Sequence, residues 1–130
     1  CKKDPEPGPP ILSYFYINDE ADLSKLGVDK DAILNIKFSF TIDPRKIVDN
    51  KIRSCLFYYE IDGAPGDTLV DKGKINADDF VVQRFMLLND LVKQGAAYAC
   101  SGGEKIGFYL FCDDFDGGMR SEYRELVVGD

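Results

Sequence analysis

The stretch AILNIKFSFTID, residues 32–43, sets Leu34, Ile36, Phe38, Phe40 and Ile42 on one side of an extended chain and Asn35, Lys37, Ser39 and Thr41 on the other. Alternation with a period of two over that length marks a strand with one buried and one wet face. Such a strand needs a second layer over its apolar side, so its neighbours decide the architecture. Working outward, Ile11 to Asn18 is aromatic and β-branched, and Ser54 to Ile61 contains the run Cys-Leu-Phe-Tyr-Tyr. Lys105 to Cys112 puts Ile106, Phe108, Leu110 and Cys112 on one side. All three read as strands. Asp113, Asp114, Phe115, Asp116, Gly117 and Gly118 supply a turn before a closing strand, Ser121 to Val128.

Turn residues from Asp62 to Asp67 and a short strand around Leu69 to Ile75 fill the middle. Asp78 to Gln94 reads two ways. Phe80, Val82, Arg84 and Met86 alternate as in a strand, whereas Val81, Phe85, Leu88 and Val92 sit at helical spacing between a capping Asp78 and a stopping Gly95. Strand to Leu88 followed by a helical turn is the favoured reading. About seven short strands with frequent turn signals predict an all-β, two-sheet sandwich over residues 11–130, with one short helical turn.

The 130 residues fit one domain, and 45% apolar against 30% charged residues is the balance of a folded globular chain. A net charge of -7 repels phosphate backbones, which argues against nucleic acid as a partner. With no histidine, a Ser-His-Asp triad, a Cys-His dyad and a His-ligated metal are excluded. No cofactor is expected.

Cys1 is followed by Lys2, Lys3, Asp4, Pro5, Glu6, Pro7, Gly8, Pro9 and Pro10, a polar, extended spacer spanning about 30 Å. A first cysteine before such a linker resembles a mature bacterial lipoprotein of the Gram-negative envelope. That resemblance implies lipid on Cys1, a tether over residues 1–10, and attachment to the membrane through the lipid. Lys2, in place of the aspartate that retains such proteins at the inner membrane, implies the outer membrane, with the domain periplasmic or surface-facing.

The strand count, the final strand-turn-strand and the spacing of Ala96, Tyr98 and Cys100 resemble an immunoglobulin-like domain, whose sixth strand often carries a tyrosine two residues before its cysteine. The resemblance implies a Greek-key sandwich and a binding or spacer role. If Cys55 and Cys112 lie on its third and sixth strands, they face one another across adjacent antiparallel strands, and a bridge is feasible there. Buried reduced thiols are the equal alternative.

Three further sets of residues are candidates. Asp113, Asp114 and Asp116 are only a weak candidate for a calcium site, since the spacing misses the EF-hand pattern and acidic turns usually serve turn geometry. A glycosidase-type carboxylate pair would need a pocket that raises one pKa. Tyr14, Tyr16, Tyr58 and Tyr59 are candidate ligand contacts, because adjacent aromatics on a strand point to opposite faces and some ring in each cluster must lie outside the core, and Phe115 is another, as the apolar residue expected to be exposed at the tip of the last hairpin. The sequence therefore favours a non-enzymatic envelope domain that binds another envelope protein or serves as a structural accessory. A glycan-binding module built on exposed tyrosines is the alternative, and a carboxylate-type enzyme ranks third.

Overall fold

The computed structural model describes residues 8–29, 31–45, 49–88 and 103–129. The alternating segment 32–43 forms β2 (Ile33–Thr41). Around it lie β1 (Ile11–Ile17), β3 (Ile52–Ile61), β4 (Ala64–Lys72), β5 (Asp79–Leu87), β6 (Lys105–Asp114) and β7 (Met119–Val127), with a 3-10 turn at Leu23–Lys25. They build two antiparallel sheets, ordered β1-β2-β5 and β4-β3-β6-β7. With β3 and β6 adjacent at the centre of the larger sheet, this is the immunoglobulin-like arrangement of two facing sheets.

The buried sides meet in an aromatic centre. Phe15 and Phe38 from the smaller sheet pack on Phe57 and Phe108 from the larger, with Phe38 and Phe57 5.0 Å apart at 68° and Phe15 and Phe57 6.2 Å apart at 75°. Burying each such ring stabilises by roughly 1.5–3 kcal/mol, and edge-on contact adds about 0.5–1.5 kcal/mol per pair. Leu34, Ile36, Phe38 and Phe40 are all fully buried, as the alternation requires.

Two boundaries differ from expectation. The turn after β3 is only Asp62-Gly63, both at positive φ (50° and 82°), as a tight hairpin of strongly twisted strands demands. Strand β4 therefore starts at Ala64, and Pro65 is tolerated because β4 is a sheet edge. The ambiguous segment is strand β5 up to Leu87, and the helical turn expected beyond Leu88 falls outside the described residues. The 3-10 turn that the structure does describe is elsewhere, capped by Asp22, whose Oδ1 accepts from the Ser24 amide at 3.1 Å.

The end of the sandwich at which β1 begins is clasped. Asp43, in the β2–β3 loop, is buried and accepts from the Gly8 amide at 2.7 Å, the Arg45 amide at 3.0 Å and the Arg45 guanidinium at 2.7 Å. Arg120 of β7 donates to the Pro10 carbonyl at 2.9 Å. Gly8 and Pro10, at the end of the expected linker, are held to the domain by these bonds. The β2–β3 and β6–β7 loops thus share an end with the start of β1, as an immunoglobulin-like order requires.

Candidate functional site

The larger sheet turns its second face to solvent, and pairing fixes what stands there. Strands β3, β6 and β7 run in register, which sets Glu60, Gly107 and Glu125 in one row and Tyr58, Tyr109 and Tyr123 in the next. Leu56, Phe111 and Ser121 form a third row, and Ser54, Asp113 and Met119 a fourth. The side chains of these rows point away from the core because their neighbours Cys55, Phe57, Tyr59, Phe108, Leu110 and Cys112 point into it.

The rings on this face form a ladder. Tyr58 and Tyr109 stack at 5.0 Å and 12°, Tyr58 and Phe111 at 6.0 Å and 10°, and Tyr109 meets Tyr123 at 4.8 Å and 55°. Tyr123 leans across β6, where a Cβ on Gly107 would lie 2.7 Å from its Cε2 and Oη. Its hydroxyl donates to Glu125 at 2.9 Å. Desolvation, then that bond, pushes the Tyr123 phenol up to about 12. A hydrogen bond with Glu60, aided by desolvation, also raises the Tyr109 phenol. Tyr123 and Met119 remain 45% and 61% exposed. Beside them a hollow of about 560 Å³ has Leu56, Tyr58, Phe111 and Met119 in its wall, with Asp71 and Lys72 of β4 at one side.

Of the expected ligand contacts, Tyr58 belongs to this ladder. Tyr59 does not: it is fully buried, because the residue after an outward-facing one on a strand must face inward. Gly66 leaves its ring the room a side chain would fill, since a Cβ there would stand 2.2 Å from the ring. Tyr14 and Tyr16 stack on each other at 5.2 Å on the opposite sheet, beside Ser39 and Lys37. Phe115 is exposed at its hairpin tip, as expected, and lines a groove of about 830 Å³ with Lys51, Arg53 and Lys74. Although larger, that groove is less suited to a ligand, because Lys51 is paired with Asp49 and Asp78, and Arg53 with Asp113. The expected contacts are thus spread over both sheets and one end.

The acidic turn is committed to its own structure. Asp113 accepts from Ser54 Oγ at 2.5 Å and from Arg53. Burial raises its carboxyl, but these donors outweigh burial and hold it below the usual carboxylate range. Asp114 accepts from the Asp116 and Gly118 amides at 3.0 and 2.8 Å. Among the described residues no group of three or more acidic or cysteine side chains is placed to hold a metal. The Arg45 guanidinium and amide hold the Asp43 carboxyl far below its ordinary value, and Ser24 lowers Asp22. These shifts run opposite to those of a general acid.

Cys55 and Cys112 are opposite one another in the β3–β6 register, as the sandwich order implied, and both are buried free thiols. Desolvation pushes Cys55 up to about 12 and raises Cys112 as well. Cys1, Ala96, Tyr98 and Cys100 lie outside the described residues. The sixth strand is 105–114, so the tyrosine-cysteine spacing of the immunoglobulin resemblance precedes it rather than lying on it.

Sequence reading missed Leu56, Tyr109, Phe111, Met119, Tyr123, Glu60 and Glu125. The pairing of Cys55 with Cys112 carried the signal, since the same register brings Tyr58 opposite Tyr109. No protein-family model, curated protein or solved structure matches the chain.

Proposed function

We propose that this is a non-enzymatic binding module that docks a protein partner on the outer face of its four-stranded sheet. The observation that carries the reading is the packed, half-exposed ladder of Tyr58, Tyr109, Tyr123 and Phe111, continuous with Leu56 and Met119. Tyrosine gives large contact area at low entropic cost, and both tyrosine and methionine are enriched at protein interfaces. The hollow beside the ladder suits an apolar anchor side chain, with Asp71 and Lys72 as polar groups at its side, and Glu60 and Glu125 form a polar row at the other end of the ladder.

A glycan is the weaker reading of the same face. A sugar stacks its C–H face on an open ring face, whereas Tyr58 and Tyr109 turn their faces to one another. Tyr123, tilted at 55° to Tyr109 and 45% exposed, is the most open tyrosine of the ladder.

Site-specific photo-crosslinkers at Met119 and Ser121 on the ladder face, and at Phe85 and Tyr16 on the opposite sheet, test the proposal in the cells that make the protein. A discrete protein adduct from the first two positions and none from the others is expected. Adducts from the opposite sheet alone, or from all four positions equally, would overturn it.

A further inference from the structure

The row Glu60, Gly107, Glu125 has a charge pattern that the rest of the ladder does not explain. Two carboxylates stand on adjacent sides of a glycine, on strands two spacings apart, so their Cα atoms are about 10 Å from one another. Their partners are phenols: Tyr109 bonds Glu60 and Tyr123 bonds Glu125. Among the described residues neither carboxylate has an ion pair, although Lys105 lies one row further along β6. Between them the missing side chain of Gly107 lets the Tyr123 ring settle over the strand. The Cε2, Cζ and Oη end of the ring thereby lies over Gly107, Tyr109 leans against it at 4.8 Å and 55°, and the ring stays 45% exposed beside the two carboxylates.

A flat π face flanked by carboxylates complements a planar cation. We propose that this row receives an arginine side chain of the docked partner, its guanidinium stacked on Tyr123 and donating in its own plane to Glu60 and Glu125. The proposal rests on the docking reading and names the chemistry of its occupant. Guanidinium is favoured over ammonium because it stacks on aromatic faces and forms forked bonds to carboxylates, whereas ammonium is a strongly hydrated point charge. The domain's net charge of -7 draws a basic segment toward the face, and the row fixes its register once there.

The test uses acetylated hexa-arginine as the probe, with hexa-lysine and the neutral isostere hexa-citrulline as controls, followed by NMR of tyrosine-ring and glutamate-carboxyl signals at physiological salt. Hexa-arginine is expected to shift Tyr123, Glu60 and Glu125 and to leave Tyr14 and Tyr16 unmoved. Binding should be at least fivefold weaker for hexa-lysine and absent for hexa-citrulline. It should fall at least tenfold in the double variant Glu60→Gln, Glu125→Gln, whose substituted side chains are solvent-accessible and leave the core untouched. Equal binding to the double variant, equal shifts on the two sheets, or no shift at all would each overturn the arginine assignment. Photo-crosslinking at Met119 and Ser121 separates the two readings. If the double variant keeps the native adducts while the peptide fails, the docking face stands and the arginine row falls. If the adducts come from the other sheet, both fall.

Discussion

Replacing Gly107 by alanine separates the shape of the ladder from the stability of the fold. The new Cβ would stand 2.7 Å from Cε2 and Oη of Tyr123, closer than real Cβ contacts allow. Only the far end of one partly exposed side chain is in the way, so the ring swings off β6 while the backbone keeps its place. Alanine in a strand interior gains about 0.5–1 kcal/mol over glycine, because less backbone freedom is lost on folding. Displacing an exposed ring offsets part of that gain, and the net change should lie within about 1 kcal/mol of zero. Had the ring been locked, overpacking would cost about 1–3 kcal/mol instead. The site responds differently from the fold: freed from Glu125 and from its partial burial, Tyr123 should titrate near the ordinary tyrosine value of about 10 rather than about 12. Urea denaturation and NMR titration of ring-labelled tyrosine read the two quantities on one sample. A loss of 2 kcal/mol or more, or a Tyr123 titration unchanged from the parent, would refute the reasoning.

Other outcomes follow from the same structure. Phe38→Ala removes the ring at the centre of the aromatic core and should cost about 3–5 kcal/mol, whereas Phe85→Ala, on a 67% exposed ring, should change stability by less than about 0.5 kcal/mol; chemical denaturation of both variants compares them. Asp43 and Asp113 have carboxyls lowered by folding, so the unfolded chain binds more protons in acid. Their contribution should be complete above about pH 5 and be lost as pH falls through the folded values, and Asp43→Asn should flatten that acid limb in a thermal scan. Cys55 and Cys112 are raised, so the sign reverses. Unfolded thiols ionise near pH 8.5–9 while the folded ones keep their protons, and stability should decline as pH climbs beyond about 9. Both thiols should resist iodoacetamide at pH 8 until the protein is unfolded, and rapid alkylation of the native fold would contradict their burial.

Much of the sandwich was legible in local pattern. Residues 32–43 and 105–112 alternate cleanly because each strand has one wholly buried face, and burial writes itself into sequence at a period of two. Asp62-Gly63 shows what local reading blurs: the turn residues that follow, Ala64 to Asp67, already belong to a strand, because an edge strand tolerates proline and glycine. Tyr58 and Tyr59 show the limit for sites. Alternation says that one of the pair must face outward, but choosing which depends on strand phase, and Phe57 in the core settles it for Tyr58. Tyr109 and Tyr123 belong to the same face only through two strand pairings, one of them between residues about fifty apart in sequence. Nothing local encodes that juxtaposition. The role of Gly107 is still less visible, since it lies in what an absent side chain permits.

Nitration of tyrosines in intact cells, compared with nitration of the purified protein, tests the docking face most directly. Tyr16 and Tyr123 are both exposed in the isolated domain, at 37% and 45%, on opposite sheets. Peptide mass analysis should find both nitrated in the purified protein, and in cells Tyr16 still nitrated with Tyr123 protected. Equal nitration of Tyr123 in both settings, or protection of Tyr16 instead, would contradict a partner seated on the four-stranded sheet.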